Sequence, residues 1–214
     1  MDSSLSIELK RKGIHLVALI IPIGLFFFPE KVSLPMLFAV TAWSIFVDAG
    51  RGRFPVLQRT FLRFFSPLLR DHETSAWTGS TFLLLSSSLC ALFFILIIGE
   101  PRFDLDARLS LYYAFTFLIL GDAAAAVIGK TFGKRKIAGN KTLEGSLACV
   151  SVCLAWYALS RLWLPVSIGF ALAACAALLT AGAEALPLKL DDNLRVAPAC
   201  CLLIYCVLRW GSGA

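Results

Sequence analysis

The segment from Leu120 to Gly145 places a carboxylate inside an apolar run and follows it with a stretch rich in glycine and lysine. Asp122 lies among Leu, Ala and Gly residues, where an ionisable side chain is costly and therefore indicates function. Glycine-rich turns expose backbone N–H groups, which together with Lys and Arg side chains bind phosphate oxygens. The residues that we predict to bind a nucleotide are Gly129, Lys130, Gly133, Lys134, Lys136, Asn140, Lys141 and Thr142.

A second group of oxygen ligands follows near the C-terminus. Glu184 ends an apolar run, and Asp191, Asp192 and Asn193 come after a short loop. Carboxylate and amide oxygens are hard ligands that suit Mg²⁺ held jointly with substrate phosphates. The alternative is a turn that caps the last helix through Asp192 or Asn193, which explains Asn193 but not Glu184. The predicted metal ligands are Asp122, Glu184 and Asp192.

Three further groups of ionisable residues lie next to apolar runs. The first group shares one helix face and consists of Glu8, Arg11, Lys12 and His15. The second is Asp48, which also fits a polar turn at a helix end. The third runs from Arg70 to Glu73, where Glu73 would also complement the N-terminus of a following helix. For the first group, a basic flank with a histidine near the interface is the structural alternative.

Taken together, these groups suggest phosphoryl or nucleotidyl transfer to a lipid. A divalent cation, Mg²⁺ or another, would neutralise charge on the phosphates, and lysines would hold their oxygens. A carboxylate would orient or deprotonate the attacking hydroxyl group, and Asp122 is the first candidate. Glu144 is expected to position Lys141 or the metal, and either His15 or Glu73 is expected to serve the lipid hydroxyl.

The elements that must position these residues are membrane-spanning helices. Hydrophobic residues make up 58% of the chain, only 16% are charged, and the mean hydropathy is +0.79. The apolar residues come in long runs, as expected for helices that cross about 30 Å of hydrocarbon. We predict an all-α, polytopic membrane protein with about seven spans in one domain, residues 1–214. The predicted spans are Gly13–Phe28, Leu34–Val47, Trp77–Gly99, Leu109–Ile128, Leu143–Leu164, Val166–Leu186 and Leu194–Leu208.

The basic residues predict the orientation. The chain carries 20 Lys and Arg residues. With the N-terminus inside, the outer loops hold only Lys31, Arg102, Arg108, Arg161 and Arg209. The other Lys and Arg residues fall on the inner side, so the positive-inside rule places the N-terminus and all five groups in the cytoplasm. The net charge of +6 therefore does not indicate a nucleic-acid partner.

The segment from Phe54 to Arg70 mixes aromatic residues with arginines. Arg59 and Arg63 are one helical turn apart, which favours an interfacial helix on anionic lipid, bent at Pro67. A cytoplasmic loop with positive-inside arginines explains the same residues equally well.

The motifs also resemble the family of dolichol kinase, phytol kinase and CTP-dependent diacylglycerol kinase. The run L-G-D-A-x-A-x-x-x-G-K-x-F-G-K from Leu120, then N-K-T-x-E-G-S from Asn140, is similar to that family. Three further motifs follow the same order along the chain as in that family: E-x-x-R-K-x-x-H at Glu8, R-x-H-E at Arg70 and E-x-L-P-x-x-x-D-D-N at Glu184. The resemblance covers nearly the whole chain. It implies phosphorylation of an isoprenoid alcohol or diacylglycerol, with CTP as donor and a divalent cation.

Part of this signature also resembles CDP-diacylglycerol synthases, which bind CTP beside the membrane. Their C-terminal block with P-K-R and two spaced aspartates is absent, and Glu184 to Asn193 stands in its place. We therefore favour the kinase, with the cytidylyltransferase as the alternative. A transporter or membrane scaffold is the alternative of another class, since charges in helices also mark ion pathways. The sequence leaves the acceptor lipid and homo-oligomerisation open.

Overall fold

The computed structural model describes residues 3–66, 69, 71–74, 76–98, 104–139, 141–186 and 190–211. Most of these residues lie in helices, and the predicted all-α membrane fold is confirmed. The helices are α1 Ser3–Val17, α2 Ile20–Phe27, α3 Glu30–Arg51, α4 Pro55–Phe65, α5 Gly79–Ile98, α6 Leu105–Phe132, α7 Leu143–Ser160, α8 Phe170–Ala185 and α9 Asp192–Trp210. A 3-10 turn, Asp71–Thr74, and a hairpin of β1 Lys136–Ala138 and β2 Lys141–Thr142 complete the described elements.

Five of the described helices, α3, α5, α6, α7 and α9, are long and apolar enough to cross a membrane. Helix α8 is apolar but has only 16 residues. The second predicted span begins earlier than Leu34, because α3 starts at Glu30 with Pro29 as its N-cap residue.

The predicted first span, Gly13–Phe28, is two helices and not one. Proline has no N–H, so Pro22 cannot donate to the carbonyl four residues before it, that of Ala18. The carbonyl of Ala18 instead accepts from the N–H of Ile21 at 3.0 Å, a tighter turn that separates α1 from α2. Neither α1 nor α2 is among the described helices that are long and apolar enough to cross a membrane alone.

Helices α1 and α2 run antiparallel to α6 along its length. At one end the Lys130 ammonium lies 2.6 Å from Glu8 Oε2. At the other end Arg108 Nη1 donates to the carbonyls of Phe26 at 3.0 Å and Phe28 at 3.2 Å. These contacts fix the direction in which α1 presents its charged residues to the C-terminal half of α6.

Helix α6 is the centre of the bundle and packs against α1, α2, α5, α7, α8 and α9. Its turns from Leu109 to Ile119 are buried. Small residues bring α7 close to the second half of α6, because a Cβ on Gly145 would lie only 2.8 Å from the carbonyl oxygen of Ala125. A Cβ on Gly121 would lie 2.6 Å from Cys149 Sγ. The small residues around Asp122 therefore serve helix packing.

The segment after α3 is a helix rather than a loop. Helix α4 carries an apolar and a basic face, and none of its residues is buried within the protein. The Arg51 guanidinium at the end of α3 lies 4.5 Å above the ring of Phe61 and attaches α4 to the bundle. Pro67, the predicted bend, lies outside the described residues.

A β-hairpin that the sequence interpretation missed connects α6 to α7. Lys136 pairs with Thr142 and Ala138 with Lys141, and Gly139 turns the chain with a φ of +55°. The Thr142 hydroxyl then accepts from the N–H of Gly145 at 3.2 Å and caps α7. The hairpin returns Lys141 to the end of the bundle where Asp122 lies.

Candidate active site

A cavity of about 470 Å³, here called the polar cavity, lies between α1, α6, β2, α7 and α8. Its charged lining residues are Glu8, Arg11, Lys12, Asp122, Lys130, Lys141 and Glu184. Small residues, among them Gly129, Gly145 and Ala181, form much of the remaining wall. Four cationic side chains around one cavity suit a ligand that carries several phosphates.

Asp122 meets two residues of α1 inside the bundle. The Lys12 ammonium, whose residue is 4% exposed, donates to Asp122 Oδ2. His15 Nε2, one turn further along α1, lies 3.5 Å from the same oxygen. The charged face predicted for α1 therefore contacts Asp122 through Lys12 and His15.

Glu8 holds two cations at the mouth of the polar cavity. Arg11 donates to Oε1, and Lys130 lies 2.6 Å from Oε2. Burial disfavours the charged carboxylate, but the hydrogen bond from Lys130 and the charges of Arg11, Lys130 and Lys12 outweigh it. The pKa of Glu8, which precedes the first predicted span, is therefore below its ordinary value.

Lys141 links two acidic residues on different helices. Its ammonium lies 2.6 Å from Glu184 Oε1 and 3.6 Å from Asp192 Oδ2. Burial opposes the charge on Lys141, but the carboxylates of Glu184, Asp192 and Asp122 together outweigh it and raise the pKa of Lys141. Arg195 Nη2 binds the other oxygen of Asp192 at 2.5 Å. Lys141 thus stays charged at neutral pH and faces the polar cavity.

The surroundings of Asp122, Glu184 and Asp192 show whether these predicted ligands fit a divalent cation. Glu184 is 4% exposed, and its Oε2 atom is buried without a hydrogen-bond partner among the described residues. Within the described part of the chain, no three His, Cys, Asp or Glu residues are grouped closely enough to form a metal site alone. An orphaned carboxylate oxygen with Asp122 and Asp192 nearby fits Mg²⁺ that takes its other ligands from phosphates and water.

A second cavity of about 460 Å³, here called the aromatic cavity, lies between α1, α3, α4 and α5. Its apolar wall includes Val40, Trp43, Val47, Phe61, Phe65, Leu83 and Leu84. Arg11, Lys12 and Asp122 line both cavities, so the two spaces adjoin at the Lys12–Asp122 pair.

The polar end of the aromatic cavity is held by hydrogen bonds between distant segments. Asp48 Oδ2 accepts from the N–H of Thr78 at 2.8 Å, and Arg51 Nε lies 3.0 Å from Asp48 Oδ1. Glu73 Oε1 accepts from the N–H of Gly79 at 3.0 Å, and the Asn193 amide donates to the Gly79 carbonyl at 3.0 Å. These bonds gather the 3-10 turn and the starts of α5 and α9 at one end of the bundle.

Some residues predicted to bind nucleotide lie away from the polar cavity. Lys134 and Lys136 are exposed on the hairpin side, and neither they nor Gly133 line the cavity. A Cβ at Gly133 would lie 2.1 Å from the Gly129 carbonyl oxygen, so this glycine serves the turn after α6. Arg70 and Asn140 lie outside the described residues.

Glu144 differs from its expected role. Its Oε2 accepts from the N–H groups of Lys134 at 3.1 Å and Arg135 at 3.2 Å. It therefore holds the backbone of the turn before β1, and Glu184, not Glu144, positions Lys141.

The sequence interpretation missed residues that only the fold brings into place. Ser146 lines the polar cavity one helical turn after Thr142. Arg195 lies three residues after Asp192, and Arg51 three residues after Asp48. That spacing puts an acidic and a basic residue on one helix face, so both ion pairs are predictable from the sequence. The positive-inside pattern explains both arginines without these pairs.

Comparison with known proteins assigns this chain to a protein family. The model of a family described as the cytidylyltransferase family matches residues 13–185. An uncharacterized protein of Rickettsia prowazekii (strain Madrid E) is 25% identical over 203 residues, which cover 91% of this chain and 92% of the relative. No solved structure matches the chain. The family match includes His15, Asp122, Lys141 and Glu184 and ends before Asp192.

Proposed function

Because this chain belongs to the cytidylyltransferase family, we propose that it is a CTP-dependent lipid kinase. It transfers the γ-phosphate of CTP to the hydroxyl group of an isoprenoid alcohol or diacylglycerol. Family membership supports CTP as substrate but is equally compatible with cytidylyl transfer to phosphatidate. The observation that carries the kinase proposal is the position of Asp122, between a cavity lined by cations and a cavity lined by aromatic residues.

The triphosphate occupies the polar cavity in this proposal. Lys12, Lys130, Lys141 and Arg11 supply N–H donors from three separate elements, so they can contact several phosphate oxygens at once. The cavity volume of about 470 Å³ lies in the range typical of small-molecule sites. The exposed Lys134 and Lys136 add positive charge beside the cavity and would favour approach of the nucleotide.

Glu184, together with Asp122 or Asp192, would hold the divalent cation jointly with the phosphates. A cation bound there would neutralise charge on the transferred phosphoryl group. Lys141 contributes positive charge at the same place, because its ammonium is fixed between Glu184 and Asp192.

The reaction requires an in-line attack by the lipid hydroxyl. Its oxygen forms a bond to the γ-phosphorus while the bond from that phosphorus to the β-bridging oxygen breaks, and CDP leaves with the electron pair. The hydroxyl proton passes to His15, which lines the aromatic cavity next to Asp122. Asp122 orients His15 and Lys12, since phosphoryl transfer is catalysed by positioning of the reactants together with electrostatic stabilisation.

The polar surroundings of Asp122 do not continue along α6, which weighs against a transport pathway. Beyond Gly121 towards the start of the helix, the side chains from Leu109 to Ile119 are buried, and most are apolar. Charged groups lining a substrate path would have to extend across the membrane.

The proposal is tested with purified protein, Mg²⁺ and CTP labelled at either the α- or the γ-phosphate. Prenols, phytol, diacylglycerol and phosphatidate are offered as separate acceptors. Label from the γ-phosphate is expected in a neutral lipid alcohol. Transfer of the α-label to phosphatidate, without γ-transfer, would establish the cytidylyltransferase instead.

A matched pair of variants controls this assay. Asp122→Asn removes the central carboxylate, whereas Asp106→Asn makes the same change in the first turn of the same helix. Only Asp122→Asn is expected to abolish transfer. Equal loss in both variants would show damage to α6 and would remove the support that Asp122 gives to the proposal.

We also propose that the end of the bundle carrying both cavities faces the cytoplasm, where CTP is found. The excess of Lys and Arg at this end supports that orientation. A cysteine replacing Arg53 should react with a membrane-impermeant thiol reagent only in inverted vesicles; one replacing Arg161 should react only in right-side-out vesicles.

A further inference from the structure

We infer that the aromatic cavity is the acceptor site and that it takes a neutral long-chain alcohol. The hydroxyl lies at the Lys12–Asp122 end, and the hydrocarbon chain passes between α3, α4 and α5. This inference rests on the proposed lipid kinase function and adds to it where the acceptor binds.

The cavity has a polar end and an apolar wall, as a long-chain alcohol has a polar hydroxyl group and an apolar chain. At one end lie the polar side chains of His15, Glu73, Thr78 and Asn193. The opposite wall is formed by aromatic and branched aliphatic side chains from three helices. An alcohol can satisfy the polar end with a single hydroxyl group, which both donates and accepts a hydrogen bond.

The apolar wall opens towards the lipid. Trp43, Val40 and Phe65 line the cavity and are nevertheless 66%, 46% and 47% exposed. Residues that both line a cavity and face outward mark its opening, and α3 is long and apolar enough to cross the bilayer. A long chain can therefore enter sideways from the membrane and does not have to cross the aqueous end.

The charges at the polar end favour a neutral headgroup. Three carboxylates (Asp48, Glu73 and Asp122) and two Lys or Arg side chains line this cavity, whereas four Lys or Arg side chains and three carboxylates line the polar cavity. A phosphate monoester would therefore meet an excess of negative charge in a partly buried space, which is unfavourable. A hydroxyl group carries no charge and avoids this repulsion. Phosphatidate is therefore expected to bind poorly here.

The site is tested by photo-crosslinking in lipid nanodiscs, which requires no catalysis. A long-chain alcohol with a diazirine in its chain is the probe, and labelled peptides are mapped by mass spectrometry. Labelling of α3 around Trp43 and α4 around Phe61 is expected. Excess unlabelled alcohol should suppress it, and excess phosphatidate should not. Labelling confined to other helices, or equal suppression by phosphatidate, would overturn the inference.

A cavity-filling variant provides a second test. Val47→Trp places a large side chain in the wall of the cavity, whereas Val32→Trp makes the same change on an exposed position of α3 that lines neither cavity. We expect Val47→Trp to raise the KM for the alcohol by about tenfold, equivalent to about 1.4 kcal/mol. The KM for CTP should not change in either variant, and an unchanged alcohol KM in Val47→Trp would overturn the inference.

The two proposals fail in different ways. If the alcohol labels the aromatic cavity but no γ-phosphate is ever transferred, the cavity is a binding site for a long-chain alcohol and the kinase proposal falls. If γ-phosphate is transferred while labelling maps elsewhere, the kinase stands and this cavity is not its acceptor site.

Discussion

Lys12 on α1 donates a hydrogen bond to Asp122 on α6, although the two residues are 110 positions apart in the chain. Both are largely buried, so the pair lies in an environment where charges interact strongly. The same pair forms the boundary between the polar and the aromatic cavity. It therefore couples the packing of the first helix to the place where a phosphate and a hydroxyl group would meet.

Replacing Lys12 by Met should lower kcat/KM for phosphoryl transfer by at least about 100-fold, because a charged donor next to the reacting phosphate is lost. It should also destabilise the fold by about 3–5 kcal/mol, since the Asp122 charge stays buried without its partner. Lys10→Met, on an exposed position of the same helix, is the control. The double variant Lys12→Met with Asp122→Asn should regain stability but not activity; if activity returned, the pair would be structural only.

Glu184→Gln should raise the Mg²⁺ concentration needed for half-maximal activity. The substitution removes the charge of a buried carboxylate whose second oxygen has no other partner in the described structure. Glu30→Gln changes an acidic residue at the opposite end of the bundle and should leave the Mg²⁺ titration unchanged. An identical titration curve for Glu184→Gln would exclude this residue as a metal ligand.

Gly145→Ala should destabilise the protein by about 1–3 kcal/mol, because its Cβ would be forced against the Ala125 carbonyl of α6. Gly182→Ala is the matched control in α8, where a Cβ meets nothing within 4 Å. That change should stabilise α8 by about 0.5–1 kcal/mol, since Ala favours helix more than Gly does. Thermal unfolding in detergent measures both, and equal shifts would contradict the close helix approach.

Acidification should weaken the attachment of α1 to α6. The pKa of Glu8 is lowered in the folded protein, so its charged form stabilises the fold above its ordinary pKa of 4.5. This contribution is lost as the pH falls from that value through the lowered pKa of the folded state.

The measurement compares unfolding temperatures of the unmodified protein and Glu8→Gln between pH 7 and pH 3. The two curves should converge at low pH, where Glu8 is protonated in both states. A constant difference across the range would show that the charge of Glu8 contributes nothing.

The sequence by itself determined the membrane class, the approximate spans and the residue types at one end of the bundle. Long apolar runs leave few structures other than spanning helices, and an acid inside such a run, as at Asp122, stands out without any knowledge of its neighbours. Pairs within one helix, such as Asp192 with Arg195, also follow from spacing alone.

Only the tertiary structure decided which charges meet. Helical spacing places Lys12 and His15 on one face, but it contains no information on the helix that this face contacts. The partner of Lys141 likewise depends on the hairpin, whose turn at Gly139 returns this lysine to Glu184 and leaves Glu144 to bind backbone. Such long-range pairs arise from the packing of α1, α6 and α8, so the adjoining cavities at Asp122 could not be read from the chain.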